Sequence, residues 1–341
     1  MRFGPVALAA AEGAVLAHSA VAGARRIAKG TVLGAAEIAA LAAVGQDPVT
    51  VAVLEPGDVW EDEAAARLAA ALVPDPGAAG LAVTAAHTGR VNLKAMGPGI
   101  VELDPEAVLA LNMVDPAITL ATLQPWQRVT AGTLVGTVKI IAYAVPGAAL
   151  EAAGRAARAA VRIRPVSVAD ASLVLTAVPG QDPKLNAKGR AAVTARLAAL
   201  GIGLASVEEV AHDGAAIAAA LGRAPGGMVL ILTGSATSDL RDDAPEAVRQ
   251  AGGTVARFGM PVDPGNLLFH GRLGGRPVIG LPGCARSPAL NGADWVIERL
   301  ACGLEVSDRD IAAMGVGGLL KEIPIRPQPR ERRAPRGRAA E

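Results

Sequence analysis

The sequence predicts an α/β protein: a doubly wound, mostly parallel sheet over residues 166–322, preceded by a smaller mixed α+β region over 1–165. Three observations carry this. From Ala171 onward, short β-branched or leucine-rich runs alternate with helix-length segments, the pattern of right-handed βαβ units. Before that point the apolar runs are shorter and broken by Gly and Pro. Aromatic residues make up 2% of a chain that is 51% hydrophobic, so the core must be Ala, Val, Leu and Ile, whose small side chains let helices approach a sheet closely. A chain of 341 residues fits two domains with a tail.

In the first region, Thr31 to Val44 (TVLGAAEIAALAAV) reads as a helix capped by Thr31 and stopped at Gly45. Val49 to Leu54 is a β-branched run expected as a buried strand. Asp58, Glu61, Asp62 and Glu63 cluster at the start of the next helix, where acids complement the positive end of the helix dipole. Glu63 and Arg67 stand at i,i+4 spacing. A metal site is the sharper alternative for that cluster. Pro74 to Gly80 is a loop, and Leu81 to Val145 is β-like, with two polar stretches, HTGRVNL (87–93) and MVDPAITLAT (113–122). Lys139 in an apolar strand pattern reads as an edge residue with a snorkelling stem, or as a phosphate contact. Gly147 to Arg162 reads as a helix and linker.

The second region gives strand 173–178, a Pro/Gly loop and a helix through Arg190 to Leu200. Strand 204–210, helix 213–224, strand 228–232, helix 244–251 and strand 254–258 follow. LLFHGRLGGRPVIGLPG then reads as two strands joined around Gly274 and Gly275, and a last helix spans about Pro288 to Ala301.

Charge and composition exclude several classes. With 33 basic and 32 acidic residues the formal net charge is +1, which leaves no electrostatic footprint for nucleic acid. The one dense basic run, in 323–341, is rich in Pro and Arg and reads as a solvated tail. Cys284 and Cys302 are too few for a zinc quartet or a disulfide framework, which suits a reduced, cytoplasmic compartment. No apolar run reaches the length of a membrane span, and Glu12 and Gly13 interrupt the apolar start of the chain, so no signal peptide is expected there.

Ligands of open α/β sheets bind beyond the carboxyl ends of the strands. Three loops leave strands in that manner: 177–187, 233–244 and 282–287. In TGSATS (233–238), Gly234 admits close backbone approach, while Ser235, Thr237, Ser238 and loop amides can donate to an anion beside a helix start. There is no Walker lysine and no G-x-G-x-x-G. Asp239, Asp242 and Asp243 would repel an anion unless a divalent cation intervenes or they accept from the N–H donors of a ring; Asp242 or Asp243 as a simple helix cap is the plain alternative. Arg286 and Ser287 sit at a helix start, where Arg286 could grip a phosphate. Cys284 has no adjacent histidine to activate it. His18, His87, His212 and His270 are dispersed, without metal spacing.

At these loops a family resemblance becomes specific. PVDPGNLLFHGRLGGRPVIGLPGCARSPAL resembles the molybdopterin molybdotransferase segment running from a K-P-G-K-P loop through a hairpin to G-L-P-G-N-P-x-S. TGSATSDLRDDAPEAV resembles the G-G-T-G loop and following R-D-x-T-P-E-A of molybdopterin adenylyltransferases. RRIAKGTVLGAAEIAALAAVGQDPVTV resembles the molybdotransferase lead-in, and the whole chain resembles molybdopterin-binding proteins that some bacteria fuse to a cytidylyltransferase. The resemblance implies a molybdopterin-binding α/β domain in a cytoplasmic protein of molybdenum cofactor biosynthesis, bound to molybdopterin or its molybdenum-loaded form. It also implies a homo-oligomer, with a cytidylyltransferase or a molybdoenzyme apo-protein as partner and no nucleic acid or membrane.

By position, the cofactor-binding residues would be Gly234, Ser235, Ala236, Thr237, Asp239, Asp263, Pro264, Gly265, Asn266, Pro282, Gly283, Arg286 and Ser287. Asp242 would be the catalytic acid and a Mg²⁺ ligand. Asp263 and Asn266 replace the family's lysines, and Cys284-Ala285 its Asn-Pro. Three activities compete: molybdotransferase, a non-catalytic cofactor carrier feeding a cytidylyltransferase, and a nucleotide-pyrophosphate hydrolase of the competence-damage-inducible type.

Overall fold

The computed structural model describes residues 1–320, and the chain divides into two compact units, Met1–Pro165 and Val166–Glu341. The expected basic tail, 323–341, lies outside the described residues.

The first unit is mixed α+β, and every strand pairing described in it is antiparallel. One small core gathers Leu8, Leu33, Leu41 and Val51; a larger one gathers Leu68, Leu93, Val101, Ile118 and Val138. Several local expectations change here. The first helix is Ala35–Ala43, not a helix from Thr31, because the Thr31 carbonyl accepts from Leu16 and Leu33 pairs with Gly13 and Ala14, holding that stretch extended. Glu37 then accepts from the Gly34 amide at 3.2 Å. The acid-rich helix is Glu61–Leu72, with Asp58 in the preceding strand. Pro76–Ala79, expected as loop, forms one helical turn capped by Asp75. Lys139 lies on an interior strand, paired with Thr119 and Arg90 on its two sides, so it is not an edge residue. Its ammonium reaches the Thr88 carbonyl and lies 3.8 Å from Glu61. Arg162 belongs to strand Val161–Pro165, where Arg162 and Arg164 both grip Glu102.

The second unit is one six-stranded sheet with helices on both faces. Its strands, numbered within the unit, are β1 (Asp170–Ala177), β2 (Gly203–Ala211), β3 (Met228–Leu232), β4 (Thr254–Phe258), β5 (Phe269–Leu273) and β6 (Arg276–Leu281). Its helices are α1 (Lys184–Ala198), α2 (Gly214–Arg223), α3 (Asp243–Gln250), α4 (Gly292–Ala301) and α5 (Asp308–Ala313). The strand order is β2-β1-β3-β6-β5-β4. The pairs β1/β2, β1/β3 and β3/β6 are parallel; β5 runs against both β6 and β4.

Successive side chains of a strand point to opposite faces, and the two cores follow that alternation. Leu173, Leu175, Leu230, Leu232 and Ile279 pack with Val193 and Leu197 of α1 and Val296 of α4. Val174, Val229, Ile231 and Val278 pack with Ile217 and Leu221 of α2 and Val248 of α3. The last long helix starts at Gly292 rather than Pro288, because Asn291 caps it: its side chain accepts from the Ala293 amide while Asp294 accepts from the Asn291 amide. Among the described residues, no helix is long and apolar enough to cross a membrane.

Candidate functional site

Because β1, β2, β3 and β6 are parallel, the loops that follow them open at one edge of the sheet. The segment before the opposed β5 reaches the same edge, since Phe269 at its start pairs with Gly280 near the end of β6. Four sequence-predicted stretches therefore meet at one end of the domain.

The loop after β3 is held down at Gly234. Its amide donates to Thr176 Oγ1 at 2.7 Å, and a Cβ there would stand 2.9 Å from the Thr176 carbonyl oxygen and 3.1 Å from the Val178 nitrogen. Only glycine fits, and this amide is already committed. Thr237 is buried, whereas Ser235, Ala236, Ser238 and Asp239 are exposed. Asp239 accepts from the Arg241 amide at 2.8 Å. Asp242 is the N-cap of α3, accepting from the Asp243 amide at 2.8 Å and from the Ser238 amide at 2.9 Å. Partial burial pushes its carboxyl up, but the Ser238 and Asp243 hydrogen bonds and the nearby His212 outweigh it, and the carboxyl titrates below the ordinary aspartate value.

Sequence spacing assigns His212 to no metal, yet the fold brings it to these acids. It follows β2, and its Nδ1 lies 2.9 Å from Thr176 Oγ1. Nε2 faces Asp243 Oδ2 at 3.8 Å. His212, Asp242 and Asp243 offer ligand atoms all within 4.8 Å of one another. Mg²⁺, the ion expected at Asp242, takes an all-oxygen octahedral shell and keeps several waters. An imidazole among three donors does not fit it.

The loop after β6 contains a single 3₁₀ turn, Gly283–Arg286. Arg286, expected as a phosphate grip, is a buried side chain, 8% exposed, whose Nη2 donates to the Thr233 carbonyl at 2.7 Å. Its Nε has no partner, and no ion pair to it occurs among the described residues. Burial pushes the guanidinium down from its ordinary value. Nearby, α1 carries the buried Asn186, whose Nδ2 donates to the Thr176 carbonyl while its Oδ1 has no partner. Gly283 and Cys284 are exposed, Pro282 is buried and Ser287 half-buried. Cys284 Sγ accepts from Asn291 Nδ2 at 3.1 Å.

Arg196, which the sequence does not single out, fixes this loop. It donates to the carbonyls of Ala285, Ser287 and Ala289 at 2.7–3.0 Å and to Asp294 at 2.6 Å. Asp263 to Asn266 packs differently. The Pro264 carbonyl accepts from Gly292, a Cβ on Gly265 would collide with Gly292, and the Asp263 backbone bonds Gly318 and Leu320. Pro264 and Gly265 are buried and Asn266 is exposed. Lys184 and Lys188 lie exposed on α1. The large open groove between α1 and β2, about 940 Å³ and bordered by Asn186, Arg190, Thr194 and Glu209, contains none of the expected ligand residues.

A family model described as a domain of unknown function (DUF8806) matches residues 5–53. No curated protein matches the chain. Among solved structures, the chain is similar to a molybdopterin biosynthesis moea protein from Pyrococcus horikosii, at 15% identity and a TM-score of 0.30 over 89% of this chain and 75% of that one. It is also similar to a molybdenum cofactor biosynthesis protein B, at 18% identity and a TM-score of 0.28 over 40% of this chain and 89% of the other.

Proposed function

We propose that the carboxyl edge of the second unit binds molybdopterin or its molybdenum-loaded form, as part of molybdenum cofactor biosynthesis. The observation that carries this reading is Arg286, a buried guanidinium with an unpartnered Nε and no counter-ion among the described residues. A buried charge is costly unless paired. An anionic group between the loops after β3 and β6 would supply the missing partner. The motif resemblance names the ligand: a pterin with a phosphate. Ser235, Thr237, Asp239, Gly283 and Ser287 line the loops that would surround it, while Pro264, Gly265 and Pro282 would shape them.

Binding without turnover is favoured over molybdate transfer. Asp263 and Asn266 stand where the family has lysines, and the Asp242 carboxylate is engaged as a helix cap. The test is mass spectrometry of small molecules released from protein purified out of a host that makes the full cofactor. Pterin carried by the wild type and lost from Arg286→Met supports the reading. Absence of pterin from the wild type, also after mixing with molybdopterin, ends it.

A further inference from the structure

We infer that His212, Asp242 and Asp243 form a binding site for a borderline first-row divalent ion, with Zn²⁺ the ion their donor set favours. The inference stands apart from the pterin reading and needs no pterin.

The three donors come from two crossovers of the sheet. His212 leaves the end of β2, and the two aspartates open α3 after β3. The imidazole is oriented from behind. Thr176 is fully buried and already accepts from the Gly234 amide, and His212 Nδ1 lies 2.9 Å from the same hydroxyl oxygen. A metal-binding histidine characteristically spends its second ring nitrogen on such a partner, which fixes the ring and frees the other nitrogen. A metal on Nε2 selects the tautomer in which Nδ1–H donates to Thr176 and the Nε2 lone pair faces the aspartates. The His212 amide also donates to the Ala177 carbonyl at 2.9 Å, fixing the backbone under the ring.

The spacing is that of an open site. His212 Nε2 and Asp243 Oδ2 stand 3.8 Å apart, beyond a hydrogen bond. Ligands bound to Zn²⁺ at about 2.0–2.2 Å sit roughly 3–3.5 Å from each other. Asp243 is exposed, so rotation of its side chain closes that gap. Asp242 keeps lone pairs beyond those used by Ser238 and Asp243. Two carboxylates and one imidazole suit Zn²⁺ or its transition-metal neighbours rather than Mg²⁺. Three protein ligands at a solvent-facing edge leave a coordination position for water or a ligand oxygen.

The experiment uses tag-free full-length protein stripped with a chelator. Co²⁺ is titrated by visible absorption and Zn²⁺ by calorimetry, each with and without millimolar Mg²⁺. The expected result is one ion per chain, weakened at least about tenfold in His212→Gln and in Asp243→Asn, and undisturbed by Mg²⁺. Asp243→Asn changes an exposed side chain, so it keeps the test sharp if His212→Gln disturbs the fold. Absence of stoichiometric binding, unchanged affinity in Asp243→Asn, or displacement by Mg²⁺ at comparable concentration overturns the inference.

Discussion

Arg286 Nη2 donates to the carbonyl of Thr233 at 2.7 Å, so the loop after β6 and the loop after β3 are joined by a buried cation. Arg286→Met removes that bond but also removes the cost of a desolvated charge, and these effects oppose one another. Unfolding free energy should change by less than about 1.5 kcal/mol, while affinity for the pterin falls at least about tenfold. Denaturant melts and a binding titration on the same preparation check the pair.

Arg196 and Asp294 behave oppositely. Both are buried, they lie 2.6 Å apart, and Arg196 also serves three carbonyls of the loop after β6. Asp294→Ala leaves the guanidinium without its anion and removes the acceptor of the α4 capping box. The expected loss is about 3–5 kcal/mol in a urea melt. A loss under about 1 kcal/mol would mean that the carbonyls alone satisfy Arg196.

Gly234→Ala tests the loop after β3. A methyl group there meets the Thr176 carbonyl and Val178 nitrogen, and easing it pulls the Gly234 amide from Thr176 Oγ1. A cost of about 1–3 kcal/mol is expected, with loss of ligand binding. Because Thr176 also orients His212, Co²⁺ affinity should fall as well.

His270 on β5 supplies a separate pH dependence. Burial pushes its pKa below the ordinary 6.5, with Arg257 acting in the same direction and Asp308 against it, and its Nε2 has no partner. Below pH 6.5 the unfolded chain takes up a proton that the folded chain refuses. Its contribution is therefore fully present above that value and lost as pH falls towards the depressed value. Melting temperatures from pH 7.5 to 5 should fall more for the wild type than for His270→Leu.

Much of the second unit is legible from composition and punctuation. Met228–Leu232 is an apolar run ended by Thr-Gly, and Asp213 announces the helix that it caps through Ala216. Boundaries differ from the expected ones where long-range hydrogen bonds decide them. Thr31 looks like a helix cap until Leu16 takes its carbonyl, and Arg162 closes an expected helix and linker until Glu102 on a paired strand holds it in a strand.

At the site, the three loops are visible as glycine- and hydroxyl-rich strand ends, but their neighbours are not. His212 and Asp242 stand thirty positions apart in sequence and meet only because their strands share a sheet with β1 between them. Arg286 beside a helix start reads as a phosphate grip, but its burial is not visible in the sequence, since arginine is seldom buried. In the fold its stem packs against Gly189 of α1, a neighbour far away in sequence.

The most direct measurement is calorimetric titration of molybdopterin into the wild-type protein and into Arg286→Met. One pterin bound per chain, with affinity lowered at least about tenfold in the variant while its melting curve is retained, is the predicted result. Equal affinity in the two proteins, or no heat with either, would contradict a phosphate held at the carboxyl edge of this sheet.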